Sequence, residues 1–145
     1  MIRTVDRDFG KPELMDIYPE KHLALVRYPT SQESSAYAII NYREQTFTRN
    51  LFNNSYDGTF PQLFLGSDKL IAVHSDDPYG PQKVVIADFQ GKVLEELYTT
   101  DVEKETIGPI GGGGIYAFIN INDRNTGSVL KTLRIDADTL SLSEY

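Results

Sequence analysis

The chain of 145 residues has the length of one ordinary domain, which can bury a core large enough to fold without disulfides or a structural metal. It contains no Cys, which excludes disulfides, thiolate nucleophiles and Cys-based zinc sites. Fourteen Lys and Arg against twenty-one Asp and Glu give a net charge of −7, which argues against nucleic acid as the direct ligand and favours a basic protein partner.

The hydropathy pattern predicts a protein without membrane segments. No stretch approaches the roughly 18 apolar residues of a membrane-spanning helix, and residues 1–8 lack the apolar core of a signal peptide. We therefore expect a cytoplasmic protein with no membrane partner.

Three copies of one unit recur along the chain. The apolar stretch 21–26 aligns with 69–74 and 114–119, and the small residues Ala24, Ala72 and Ala117 fall at spacings of 48 and 45. Further markers recur upstream and downstream: Pro12, Pro61 and Pro109, then the pairs Tyr42 with Phe47, Phe89 with Leu94, and Ile135 with Leu140. A fixed period of this length is typical of repeat architectures.

Each unit is predicted to contain four short strands. Nine Tyr, seven Phe and many β-branched residues favour strands, and eleven Gly with seven Pro favour turns. The strands follow the Pro, surround the Ala, and then form a third and a fourth segment, such as 36–42 with 46–52 and 83–89 with 92–98. The predicted fold is therefore all-β, a single domain of three four-stranded antiparallel units at about 8–57, 58–105 and 106–145.

Four-stranded antiparallel units of this length resemble the blades of a β-propeller. Propellers close with about four to eight blades, so the resemblance implies either two chains pairing to make six or a smaller pinwheel in which residues 3–5 add an outer strand to the last unit. The alternative is a β-sandwich or barrel.

The residues available for catalysis form no recognised motif. The chain has no Gly-x-Ser-x-Gly, His-Glu-x-x-His or Walker sequence. His22 and His74 occupy non-equivalent repeat positions beside apolar strands, which favours structural roles. We therefore expect no enzymatic activity, no catalytic residues, no cofactor and no metal.

Two local sequences have a functional and a structural interpretation. The glycine run 111–114 could cradle an anion, but 115–121 reads as a strand rather than a helix start, so a tight turn or backbone crowding is favoured. Residues 123–127 have the Asp-x-Asn-x-Gly rhythm of a calcium loop but lack its later acidic ligands. A hairpin turn is the favoured interpretation there.

Antiparallel geometry places two kinds of loop at the same end of each unit: the loop between the second and third strands, and the loop to the next unit. These loops contain eight acidic residues against Lys104 and Arg124. We predict that they form a partner-binding surface, with two tyrosines as aromatic anchors. The candidate residues are Glu33, Tyr56, Asp57, Asp76, Asp77, Tyr79, Asp101, Glu103, Glu105 and Asp123.

In its size, acidity, absence of Cys and β-rich polar loops, the chain resembles a bacterial immunity protein of the contact-dependent growth inhibition type. The resemblance implies that the partner is a basic toxin domain, often a nuclease, whose active site is masked. Two other interpretations stay open: a scaffold or half-propeller completed by a homodimer, and a hydrolase or sugar-binding protein that uses the carboxylates.

Overall fold

The structure, a computed structural model, describes residues 11–29, 35–48, 58–66, 68–77 and 79–145. Within these ranges the chain is almost entirely strands and turns, and its single helical element is the short 3-10 helix Pro19–Lys21. No helix in the described ranges is long and apolar enough to span a membrane. The strands are β1 (Glu13–Tyr18), β2 (Leu23–Pro29), β3 (Ser35–Asn41), β4 (Thr46–Thr48), β5 (Gly58–Leu65), β6 (Lys69–Ser75), β7 (Gln82–Asp88), β8 (Val93–Thr99), β9 (Glu105–Gly113), β10 (Tyr116–Asp123), β11 (Val129–Asp136) and β12 (Ser141–Glu144).

The strands form three separate sheets, each a four-stranded antiparallel meander in chain order. The first sheet contains β1–β4, the second β5–β8 and the third β9–β12. The predicted all-β fold with three four-stranded antiparallel units is therefore confirmed. The alternative was a β-sandwich or barrel, and the described strands do not close into one barrel.

The small-residue marker of the repeat occupies equivalent places in the three sheets. Ala24, Ala72 and Ala117 lie in β2, β6 and β10, where each is buried. Each Ala lies on the second strand of its sheet, with a paired strand on either side. The predicted outer strand at residues 3–5 lies outside the described residues.

The downstream marker was wrong in the third unit. Each third strand ends at an Asn or Asp whose side-chain oxygen accepts the backbone N–H two residues later, an Asx turn that starts the hairpin to the fourth strand. These residues are Asn41, Asp88 and Asp136, with N···O distances of 3.1, 3.0 and 2.8 Å. Counted from them, the equivalents of Tyr42 and Phe47 are Ala137 and Leu142, not Ile135 and Leu140.

The second sheet is the centre of the core because it is covered on both faces. One face packs on the third sheet, with Ile71 and Ile86 against Ile119 and Ile135 in one buried cluster. The other face packs on the first sheet, where Phe64 and its neighbours meet Leu25, Tyr37 and Ile39. Strands β5–β7 accordingly carry near-continuous apolar runs, as expected for strands buried on both sides.

Candidate docking surface

Three loops from the second and third sheets meet at one end of the molecule, which we call the loop end. They are the β6–β7 loop (76–81), the β8–β9 turn (100–104) and the β10–β11 turn with its first residue (123–128). The N–H of Thr100 donates at 2.9 Å to the carbonyl oxygen of Gln82, the residue directly after the first loop, which places the first two loops side by side. The N–H of Arg124 donates to the carbonyl oxygen of Lys104 at 2.9 Å, which joins the second and third.

The opposite end, which we call the turn end, carries described hairpin turns of all three sheets. It includes the turns 42–45, 89–92, 114–115 and 137–140. The N–H of Gly66 donates to the carbonyl oxygen of Gly114 at 2.8 Å there, and Phe89 lines a cleft with Asn41 and Thr46 of the first sheet. The described turns of the three sheets therefore lie at the same end of the molecule.

Each loop of the loop end is shaped by an Asx turn. Asp77 accepts the N–H of Tyr79 at 2.9 Å, Asp101 that of Glu103 at 3.0 Å, and Asp123 that of Asn125 at 2.8 Å. These local bonds order the loops without a partner, which lowers the entropy lost on binding. The N–H groups of Thr126 and Asn125 also hold the pKa of Asp123 below its usual range.

The predicted site residues fall into four groups. Glu33, Tyr56 and Asp57 lie outside the described residues. Four others are exposed and take part in no ion pair among the described residues: Asp77, Tyr79, Asp101 and Glu103. Asp123 is half-buried at the end of β10, and the remaining two, Asp76 and Glu105, are held by other side chains of the protein.

Asp76 belongs to a polar row that crosses the second sheet. The hydroxyl of Thr59 lies 2.7 Å from Nδ1 of His74, and Nε2 of His74 lies 2.7 Å from Oδ1 of Asp76. Lys83 then contacts both Asp76, at 3.5 Å, and Glu96, at 3.6 Å. The hydrogen bond and the charge of His74, together with Lys83, hold the pKa of Asp76 below its usual range.

This row has the hydroxyl, imidazole and carboxylate order of a nucleophilic triad, but its geometry is structural. Thr59 is only 8% exposed, so its hydroxyl faces the interior of the protein rather than a substrate. Both nitrogens of His74 are engaged, as they are in a catalytic triad, so the burial of Thr59 is the feature that distinguishes this row. The row therefore anchors the β6–β7 loop to the strands below it.

Glu105 likewise points inward. Its carboxylate accepts the hydroxyl of Tyr98 and the backbone N–H of Asp101, and Lys131 lies 3.7 Å away. Burial acts to raise the pKa of Glu105, but the Asp101 N–H, the Tyr98 hydroxyl and Lys131 outweigh it and hold the pKa below its usual range. Glu105 thus stabilises the junction between the second and third sheets, and its carboxylate is not part of the candidate docking surface.

These pairings reduce the negative field that the sequence predicts. The three described loops carry five acidic residues against Lys104 and Arg124, while Lys83 and Lys131 compensate Asp76 and Glu105. Sequence reasoning missed both lysines because each lies on a strand, where only the face and register bring it to a loop carboxylate. The β6–β7 loop also carries an aromatic side chain, Tyr79, which is 89% exposed and whose N–H is bonded to Asp77.

The other sequence candidates are structural. The glycine run ends β9 and turns into β10 through a two-residue hairpin at Gly114 and Ile115, the tight turn that was favoured. Residues 123–127 form the hairpin turn, closed by the Gly127 N–H bond to the Asp123 carbonyl at 2.8 Å. His22 ends the 3-10 helix with a φ of 58° and stacks edge-on against Tyr42.

Over the described part of the chain, no cluster of three or more His, Cys, Asp or Glu side chains is arranged to hold a metal ion. Comparison of the chain with protein-family models, with curated protein sequences and with solved structures yields no match. The loop end is therefore the candidate functional surface of the described residues.

Proposed function

We propose that this protein is a non-catalytic binding protein whose loop end docks a basic protein. The observation that carries the proposal is that backbone hydrogen bonds hold three acid-bearing loops together at one end, and that one of these loops carries the exposed ring of Tyr79. An ordered surface loses little entropy on binding, and aromatic residues amid polar rims are typical of interface anchors. Asp77, Asp101 and Glu103 supply the negative charge that attracts the partner.

The specific form of the proposal is a bacterial immunity protein that acts in the cytoplasm. It would neutralise a basic toxin of a contact-dependent growth inhibition system, such as a nuclease, by covering the active-site cleft. A nuclease cleft must be positively charged to hold phosphate groups, so an acidic loop surface complements it. The acidity of the whole chain, at −7, adds long-range attraction.

The test begins with the neighbouring gene. The proposal predicts that this gene encodes a large secreted protein with a basic C-terminal toxin domain, and that the purified domain loses activity when the chain is added. Glu103→Lys, at the loop end, is expected to weaken inhibition severalfold, whereas Glu44→Lys, at the turn end, leaves it unchanged because its charge lies far from the interface. A neighbour without toxic activity, or equal effects of the two variants, contradicts the proposal.

The proposal for the overall architecture is that the three sheets are consecutive propeller-like blades. In support, each sheet is a meander in chain order, and β1 contacts β5 as β5 contacts β9, so the first strands lie side by side. Three blades fall short of the about four to eight of a closed propeller. In such an open arrangement, one side of the first strands β1, β5 and β9 would remain accessible to another chain.

That geometry supports a second candidate function, a half-propeller scaffold completed by a homodimer. On the first strands of the first two sheets, Leu14, Ile17 and Phe60 are exposed apolar residues, 60%, 46% and 37% accessible. A two-fold dimer would bury them against the same surface of a second copy. Light scattering decides this: a concentration-independent monomer contradicts the scaffold, and a stable dimer lost in Leu14→Lys supports it.

A further inference from the structure

A β-bulge near the start of β11 turns two adjacent apolar side chains into solvent. In the pairing of β10 with β11, Ile121 lies opposite Lys131 and Asn122 lies opposite Val129, which leaves Leu130 as an extra residue without a partner in β10. Val129 is 55% exposed and Leu130 is 51% exposed. A bulge bends its strand and changes the direction of the side chains on it. We call Val129 and Leu130 the bulge pair.

The bulge places Val129 on the face of the sheet opposite to the one that an unbroken strand would give it. Further along β11, Leu133 and Ile135 are buried in the core shared with the second sheet. With a period of two, Val129 would point into the same core. The extra residue shifts this alternation by one, so Val129 lies opposite Asn122 rather than opposite the buried Ile121. An apolar residue suited to the core is thereby displayed to solvent.

The bulge pair lies at the loop end. It begins directly after the β10–β11 turn, which is closed by the N–H of Asp123 donating to the carbonyl oxygen of Ser128 at 2.7 Å. A backbone hydrogen bond holds this turn to the β8–β9 turn, which carries the exposed carboxylates of Asp101 and Glu103. Apolar and acidic side chains are therefore presented at one ordered end of the molecule.

The chain carries the same dipeptide in a second bulge at the turn end. In the pairing of β7 with β8, Ile86 lies opposite Glu95 and Ala87 lies opposite Val93, which leaves Leu94 as the extra residue. Val93 and Leu94 are 38% and 42% exposed. Exposure in a bulge therefore does not by itself indicate a binding site. The feature that distinguishes the bulge pair is its position at the end that carries the acidic loops.

We infer that Val129 and Leu130 form the apolar part of the docking surface, where they contact an apolar side chain on a basic segment of the protein partner. The inference rests on the proposed function, because the acidic loops select the basic segment. Interfaces concentrate binding energy in a few apolar contacts within a polar rim. A bulge interrupts the regular ladder and disfavours the addition of a strand, so the partner contacts the two side chains rather than extending the sheet.

The experiment uses two peptides in which Lys and Arg flank a central Ala or a central Leu. Binding of each peptide to the intact chain is followed by NMR at low salt. Partial burial of a Leu side chain on an exposed apolar surface is worth about three- to tenfold in affinity. The Leu peptide is therefore expected to bind about three- to tenfold more tightly than the Ala peptide, with additional shifts at residues 129–131.

A matched pair of variants locates the effect. Leu130→Ala removes the larger side chain of the bulge pair, whereas Leu94→Ala makes the same change in the bulge at the turn end. Both side chains are exposed, so both variants are expected to fold. Leu130→Ala should remove most of the preference for the Leu peptide and keep the salt-dependent binding of the Ala peptide, while Leu94→Ala should preserve both. The wild-type comparison of the two peptides stands even if a variant fails to fold.

The outcomes separate this inference from the proposed function. Equal affinities of the two peptides, with salt-dependent shifts at the loop end, overturn the role of the bulge pair and leave the docking surface supported. A Leu preference that survives in Leu130→Ala, or that Leu94→Ala reduces equally, also overturns it. New protection of the amides at 129–131 from hydrogen exchange would show an added strand and contradict contact through side chains. If neither peptide shifts the loop end at low salt, the proposed function fails and the inference fails with it.

Discussion

The hydroxyl of Tyr98 lies 2.9 and 2.8 Å from the two carboxylate oxygens of Glu105, and it thereby joins the last strand of the second sheet to the first strand of the third. Lys131 completes the contact, with its Nζ 4.9 Å from the centre of the Tyr98 ring. Only 14% of the Glu105 side chain is exposed, so its charge depends on these partners. The loop end is built on this junction, because Asp101 also donates its N–H to Glu105.

Removing the Tyr98 hydroxyl should destabilise the protein. Tyr98→Phe leaves a half-buried carboxylate without one donor, which costs about 1–3 kcal/mol of unfolding free energy. Tyr79→Phe is the control, because that ring is 89% exposed, and should change stability by less than about 0.5 kcal/mol. Urea unfolding of the two variants measures the difference, and similar midpoints contradict the structural role of the hydroxyl.

The lowered pKa of Glu105 predicts a loss of stability in acid. A carboxyl whose folded pKa lies below its unfolded value, about 4.3 for Glu, stabilises the fold above that value and loses this contribution as pH falls through the folded pKa. Asp76 and Asp123 act in the same direction. Glu105→Gln should therefore lose less stability between pH 7 and pH 3 than the wild type, as measured by urea midpoints. Parallel pH curves would show that this carboxyl is not coupled to folding.

Two neighbouring glycines should respond differently to Ala. Gly112 has a φ of 114°, and an added Cβ would lie 2.6 Å from the carbonyl oxygen of Tyr116, so Gly112→Ala should cost at least about 2 kcal/mol. Gly111 has open space at that position, and Gly111→Ala should stay within about 0.5 kcal/mol. Thermal unfolding compares the pair. Equal losses would mean that the glycine run is not shaped by this turn.

The contact between the second and third sheets should make them unfold together. Ile119 is fully buried in their shared cluster, so Ile119→Ala should cost about 2–5 kcal/mol. Leu130→Ala, on the neighbouring strand β11 and 51% exposed, should cost less than about 1 kcal/mol. Circular dichroism should show one cooperative transition for both variants. A separate early transition in Ile119→Ala would mean that the sheets fold independently.

The fold was readable from the sequence where short-range patterns determine it. The buried Ala of each second strand and the turn residues between strands predict three four-stranded meanders, which the structure confirms. The best repeat marker was overlooked because Asn41, Asp88 and Asp136 are polar residues that act through turn hydrogen bonds rather than through burial. An alignment of Asx positions, at spacings of 47 and 48, would have found it.

The candidate site was less predictable because it depends on contacts between distant segments. Loop positions alone indicate where Asp77, Asp101 and Glu103 lie, but not that Lys131, two strands away in the same sheet, compensates Glu105. The exposure of the bulge pair likewise follows from an extra residue in the pairing of β11 with β10. Such features depend on how the strands pair and how the sheets pack, which no single segment of the sequence encodes.

The most direct test of the central claim is an NMR titration of the chain with a basic peptide in which Lys and Arg flank a central Ala. The titration is run at about 0.01 M and at about 0.15 M salt, between which the Debye length shortens from about 30 Å to about 8 Å. We predict shifts confined to residues 76–81, 100–104 and 123–128, weakened at the higher salt and reduced in Glu103→Lys but not in Glu44→Lys. Shifts centred on the turns 42–45, 89–92 and 137–140, or insensitive to salt, would contradict a docking surface at the loop end.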